Sequence, residues 1–98
     1  MPRNWSNSQK ICGLCKEKRT LEFHHFIPKK VHRRNFYRKN FSKDELNHGL
    51  WICRLCHKGL HTAYSELDLA KRFSSLRELA KDPIIRRHVA WVKKQKIL

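Results

Sequence analysis

Nine consecutive residues, Cys53-Arg-Leu-Cys56-His57-Lys-Gly-Leu-His61, carry a high density of metal-ligating side chains. Thiolates three positions apart can grip one zinc ion from a tight turn. Histidines at i and i+4 of a helix share a face and can hold a second ion or a substrate. Each set needs partners. Cys12-Gly-Leu-Cys15 supplies a second C-x-x-C pair, and His24-His25 supplies two adjacent imidazoles. Four cysteines in two such pairs imply a closed tetrathiolate zinc site, which is structural because no coordination position stays open. Two disulfides are the competing use of the same residues. The N-terminal MPRNWSNSQK has no apolar stretch of the kind a signal peptide carries, so the expectation is a reducing cytoplasm and bound zinc.

Residues 16–52 separate the two pairs, so a shared zinc would clip a long segment at its base. Ligation of this kind contributes on the order of 10 kcal/mol to folding. It would also bring His24, His25 and His48 near the helix that bears His57 and His61. The expected second site is therefore His24, His57 and His61, with His48 as an additional candidate. His32 and His88 are read as surface or packing residues.

The elements that must position these groups are short. Residues 21–27, LEFHHFI, read as a half-buried strand ended by Pro28. Adjacent histidines on a strand point to opposite faces, so one can bind metal while its neighbour does something else. Leu50-Trp51-Ile52 reads as a second strand running into Cys53, and a helix follows from near Cys56 to about Tyr64. Asp44–Gly49 reads as a turn, and Gly13 as the residue that lets the first knuckle turn tightly. Residues 29–43 contain seven Lys or Arg interleaved with Val31, Phe36, Tyr37 and Phe41, with no clean period. They read as a long basic loop with room for a helical turn, and Lys29, Lys30, Arg33, Arg34, Arg38 and Lys39 are candidate contacts to nucleic-acid phosphates. A solvated loop pinned by its aromatics is the plainer reading of the same stretch.

The remainder reads as helices. Ser65 caps residues 66–73, Ser75 with Glu78 has capping-box spacing and opens a helix to about Lys81, and Asp82-Pro83 begins another. The last helix carries Ile85, Val89 and Val92 on one stripe, with Lys93, Lys94 and Lys96 at its C-terminal end. Trp5 is the one N-terminal residue expected to dock on the body.

The 98 residues suffice for one small domain, here α+β, with a core at about 10–64 and a helical extension at about 65–98. The hydrophobic fraction is 40% and the charged fraction 32%, as in a folded domain rather than a disordered chain. Apolar runs stop at four residues, as in Val89–Val92, so no membrane span is expected. Against 8 Asp and Glu stand 23 Lys and Arg, a formal charge of +15. A field of this sign attracts polyanions, with nucleic acid as the leading partner.

The series L-E-F-H-H-x-I-P at 21–28, followed by C-x-x-C-H-x-x-x-H at 53–61, resembles the HNH endonucleases, over about residues 10 to 64. The resemblance implies a ββα-metal core in which the first strand of a hairpin carries a metal ligand and then the general base. It implies that His24 binds the catalytic metal, that His25 is the base, and that His57 and His61 complete the site. The family's middle asparagine, which the resemblance implies holds the loop and orients the base or ligates the metal, falls nine positions before His57, where this chain has His48. Either His48 substitutes, or the turn shifts by one and Asn47 serves. The implied activity is metal-dependent hydrolysis of phosphodiester bonds in double-stranded DNA, leaving 5′-phosphate and 3′-hydroxyl ends. A monomer or weak dimer with one such site is expected to nick with little sequence preference. Three imidazoles without a carboxylate favour a transition ion, Mn2+ first, with Ni2+, Co2+ or Mg2+ as alternatives. The rival readings are a zinc-ribbon module that binds nucleic acid without cutting it, and a redox or metal-handling protein that uses the C-x-x-C pairs.

Overall fold

In the computed structural model, described for residues 10–95, two short antiparallel sheets and six α-helices surround the cysteines. Strands β1 (Lys10–Ile11) and β2 (Lys18–Arg19) flank the first cysteine pair. Strands β3 (Leu21–His25) and β4 (Gly49–Cys53) form the second sheet. Their register pairs Leu21 with Cys53, His24 with Leu50 and His25 with Gly49. Helix α3 (Arg54–Ala63) starts at the residue after β4, with Cys53 as its N-cap. The expected docking of Trp5 and the charge of Lys96 lie outside the described residues.

Segment 29–43 is more helical than the loop with a helical turn that was expected. A 3-10 turn at Lys29–Val31 leads to α1 (Asn35–Asn40), and α2 (Lys43–Leu46) follows where a turn was expected to begin. These helices have six and four residues and bury one side chain each, Tyr37 and Leu46, so they leave no apolar period to read. Their signal was local: Ser42 and Glu45 form a full capping box, with Ser42 N–H donating to Glu45 Oε1 at 2.8 Å and Glu45 N–H to Ser42 Oγ at 3.1 Å.

The C-terminal helices begin where their caps indicate. Ser65, Ser75 and Asp82 each accept from the backbone N–H three residues on, opening α4 (Glu66–Arg72), α5 (Leu76–Lys81) and α6 (Pro83–Lys93). Asp82 also accepts a hydrogen bond from Tyr64 Oη at 2.8 Å, which ties the end of α3 to the start of α6. Ile85 and Val92 on α6 are fully buried against Ile52, Leu60, Leu69 and Leu79, with Val89 packed beside them, while Ile84 and Trp91 stay exposed. A helix this amphipathic is held by tertiary packing rather than by its own propensity. Gly59 makes the α3–α6 approach possible, because any Cβ there would enter the His88 ring. That ring donates from Nε2 to Leu55 O at 2.8 Å. A second small cluster of Ile27, Val31, Tyr37, Leu46 and Ala70 seats α1 and α2. No described helix is long and apolar enough to cross a membrane.

Arg19 is a tie that has no local signature. It is 5% exposed, and one guanidinium nitrogen donates to Val92 O at 3.0 Å and Gln95 O at 2.9 Å. The cation thus caps the C-terminal end of α6, where carbonyls lack helical partners and the dipole is negative. Replacing Arg19 with Met, which keeps the aliphatic stem, should lower unfolding free energy by about 2 kcal/mol. Chemical denaturation of the zinc-loaded protein checks this, and an unchanged midpoint would remove the capping role.

Candidate metal centres

The two cysteine pairs converge. Cys12, Cys15, Cys53 and Cys56 are buried, and all four sulfurs lie within 4.8 Å of one another. Cys12 Sγ is 3.8 Å from Cys56 Sγ, and Cys15 Sγ is 3.9 Å from Cys53 Sγ. Disulfide sulfurs would be ~2.05 Å apart. Sulfurs bound tetrahedrally to zinc at ~2.3 Å would be ~3.8 Å apart. The donor set and its spacing therefore fit a structural zinc ion. Leu14, Cys15 and Cys53 each aim a backbone N–H at Cys12 Sγ, at 3.4, 3.4 and 3.3 Å. Such N–H···S contacts stabilise a thiolate. Hydrogen bonding from Cys56, aided by these amides, pushes the Cys12 thiol down to about 4. Burial pushes Cys15 up to about 11, and the bond to Cys12 pushes Cys56 up as well. A divalent cation bound between the sulfurs would favour their thiolate forms.

The knuckle turns tightly over 13–15 as expected, with the Leu14 and Cys15 amides on Cys12 Sγ. Gly13 has no positive φ; the left-handed residue is Lys16, at φ 64°. Gly13 is needed for space instead. Its N–H donates to Trp51 O at 2.9 Å, and a Cβ would press on Leu50 and that carbonyl.

The second cluster is His24, His57 and His61, with donor nitrogens all within 4.8 Å of one another. The alternation of β3 turns His24 inward, where it is 1% exposed, while His25 faces the other way beside Phe23. The His24 ring lies 5.4 Å from that of His57 and 5.6 Å from that of His61. Both His24 nitrogens are buried without a hydrogen-bond partner. Such an orphan costs about 1–3 kcal/mol and calls for an explanation. A metal ion bound to the lone pair of one ring nitrogen would account for that nitrogen; in the neutral ring the other carries the proton. Burial, reinforced by His57, His61 and His25, pushes His24 down to about 3, so the ring is neutral and ready to ligate at pH 7. Burial also lowers His61.

Glu22 completes this site and was absent from the expected set. Its Oε1 lies 2.9 Å from His57 Nδ1. A carboxylate only accepts, so Nδ1 carries the proton and the His57 Nε2 lone pair is free for metal. Glu22 and His24 are two apart on one strand and so share a face; this alternation was the available signal. Arg54 lies 4.0 Å from the other Glu22 oxygen. Glu22, Arg54, His57, Lys58 and His61 line an open cleft of about 350 Å3, which gives the cluster access to solvent.

The remaining candidates stand apart from the three-histidine group. His25 is half-buried and is lowered by burial, then by His32 and Lys29, which keeps it neutral. Its ring is 5.8 Å from that of His32, whose Nε2–H donates to Ile27 O at 2.6 Å. Asn47 is the exposed C-cap of α2, and His48 is exposed at the mouth of the hairpin. His48 is not among the histidines whose donor nitrogens cluster. The His48 carbonyl accepts from Phe26 N–H at 3.0 Å, next to His25. Lys29, Lys30, Arg33, Arg34, Arg38 and Lys39 are all exposed, with Lys30 3.7 Å from Glu66.

No family model matches the chain, and no solved structure matches it. Among curated proteins it is similar to one described as an uncharacterized protein, YisB, of Bacillus subtilis (strain 168). The two are 41% identical over 44 residues, which is 45% of this chain and 44% of that protein. The match thus spans less than half of either chain.

Cys53→Ala should lose bound zinc and ordered tertiary structure together. Metal content and near-ultraviolet dichroism check this; a zinc-free variant with a native spectrum would divorce the cluster from folding. Glu22→Gln should weaken binding of nickel at the histidine cluster by roughly tenfold while leaving the thiolate zinc in place. Calorimetric titration of the zinc-loaded protein decides it, and equal affinities would reject the role given to Glu22.

Proposed function

We propose that this protein is a metal-dependent DNA endonuclease of the HNH type, with β3, β4 and α3 as its ββα-metal core. The observation that carries this reading is the buried, unpartnered imidazole of His24 facing His57 and His61. A zinc-ribbon module that only binds would have no use for an orphaned histidine in that position. The formal charge of +15 supports a polyanionic substrate.

Each role follows from the chemistry of the residue. His24, His57 and His61 would hold the catalytic ion, and Glu22 would keep His57 in the ligating tautomer. A divalent transition ion bound there supplies Lewis-acid stabilisation of the phosphate and of the departing oxygen. His25 adjoins His24 at the end of the strand, is lowered by burial and by nearby His32, Lys29 and His57, and would take the proton from the attacking water. The hydrogen bond from Phe26 N–H to His48 O steadies the backbone beside this base, a main-chain version of the role expected of Asn47 or His48. Arg54 and Lys58 line the cleft, and the exposed Lys and Arg of residues 29–39 extend the positive surface for flanking phosphates.

Plasmid relaxation tests the reading. The protein should nick supercoiled DNA faster with Mn2+ than with Mg2+, since its ligands are imidazoles. His25→Ala should keep its fold and its DNA binding while nicking falls by about 100-fold or more. Nicking by His25→Ala at the wild-type rate would remove His25 from the mechanism, and equal or faster cleavage in Mg2+ would sink the ligand assignment.

A further inference from the structure

Helix α1 displays an aromatic side chain where burial would be expected. Phe36 is 62% exposed, although its neighbour Tyr37 is buried in the second cluster. The Phe36 ring meets that of Tyr37 edge-on at 5.1 Å and that of Phe41 at 6.3 Å. Tyr37 and Phe41 stack on each other at 5.6 Å with planes 19° apart. Three aromatics thus support one another, anchored from below by Tyr37, and the outward part of the group is Phe36. Together with Leu67 they line a concavity of about 540 Å3. Arg34 and Lys71 also line it, and no acidic residue does. On the same helix, Arg38 and Lys39 are exposed.

An apolar concavity would by itself suit many occupants. The cationic lining narrows the choice to something that is flat and apolar in one part and anionic in the next. A nucleobase with its flanking phosphates has that form, since aromatic faces stack bases without regard to sequence while Arg and Lys hold the phosphates. Bases inside a duplex are already stacked and present only their edges. We infer that the Phe36–Tyr37–Phe41 concavity is a stacking site for an unpaired nucleobase of DNA, with Arg34 and Lys71 binding the adjoining phosphates. This inference rests on DNA being the partner and adds a substrate class: DNA with a single-stranded or displaced segment. The polypeptide joins the two sites closely, because β3 with His24 and His25 leads through the 3-10 turn at Lys29–Val31 into α1.

The test compares binding of two labelled oligonucleotides, an oligothymidylate and an abasic strand of equal length, to the zinc-loaded protein without added second metal. Phe36→Leu keeps an apolar side chain at an exposed position and so should leave thermal unfolding unchanged. It should weaken oligothymidylate binding about tenfold and abasic binding not at all, while Phe36→Trp should bind oligothymidylate at least as well as wild type. Equal affinities of wild type and Phe36→Leu for oligothymidylate, or equal losses on both strands, overturn the stacking site; either result would leave the concavity to an apolar protein partner. The nuclease reading is separable. Nicking by a protein that ignores bases overturns only the stacking site, and base-dependent binding by a protein that never nicks overturns only the nuclease.

Discussion

The four-thiolate cluster is the constraint on which the rest depends. It joins Cys12 and Cys15 to Cys53 and Cys56 and so closes a long segment at its base. With Cys53 held there, β4 ends at a defined residue and α3 begins at the next. The register with β3 is pinned at the same end, Leu21 opposite Cys53. A slip of one residue would exchange the two faces of β3. His25 would then turn inward and His24 and Glu22 outward. The placement of three donor nitrogens within reach of one another is therefore a consequence of where four sulfurs meet.

Against this scaffold, the buried His24 is a local conflict. Two ring nitrogens without partners among the described residues, in surroundings that keep the ring neutral, are a cost to the fold. Residues so placed are common where a site is arranged for a ligand, and the cost is offset elsewhere in the fold. Glu22 fits the same pattern. In a chain with few acidic residues, one of them hydrogen-bonds a histidine of the cluster from the facing element. That bond fixes the proton on Nδ1, a choice the neutral ring itself leaves open.

The C-terminal helices do more than cover the core. A hairpin and one helix bury little surface, and α4, α5 and α6 supply Leu69, Phe73, Leu79, Ile85 and Val92 to complete it. Arg19 caps α6 from the strand that follows the first knuckle, and Tyr64 and Asp82 link α3 to α6. Helix α6 is thus held at both ends, and through Tyr64 it holds the end of α3. The aromatic group on α1 belongs to the separate second cluster, which lets Phe36 remain outside without opening the main core.

What the sequence by itself determined follows from local rules. Ligand types and spacing marked the four cysteines, strand alternation put His24 and His25 on opposite faces, helical spacing joined His57 to His61, and Ser65, Ser75 and Asp82 marked where helices start. Helices α1 and α2 escaped because single buried anchors, Tyr37 and Leu46, make no period. The tight turn expected at Gly13 is present, but the space it leaves beneath Leu50 and the left-handed φ at Lys16 had no local signal. Only the tertiary structure decided the partners of Arg19, the link from Glu22 to His57, the exclusion of His48 from the donor cluster, and the exposure of Phe36. Each depends on which distant element lies opposite, and the packing that brings those elements together has no counterpart in the spacing of neighbouring residues.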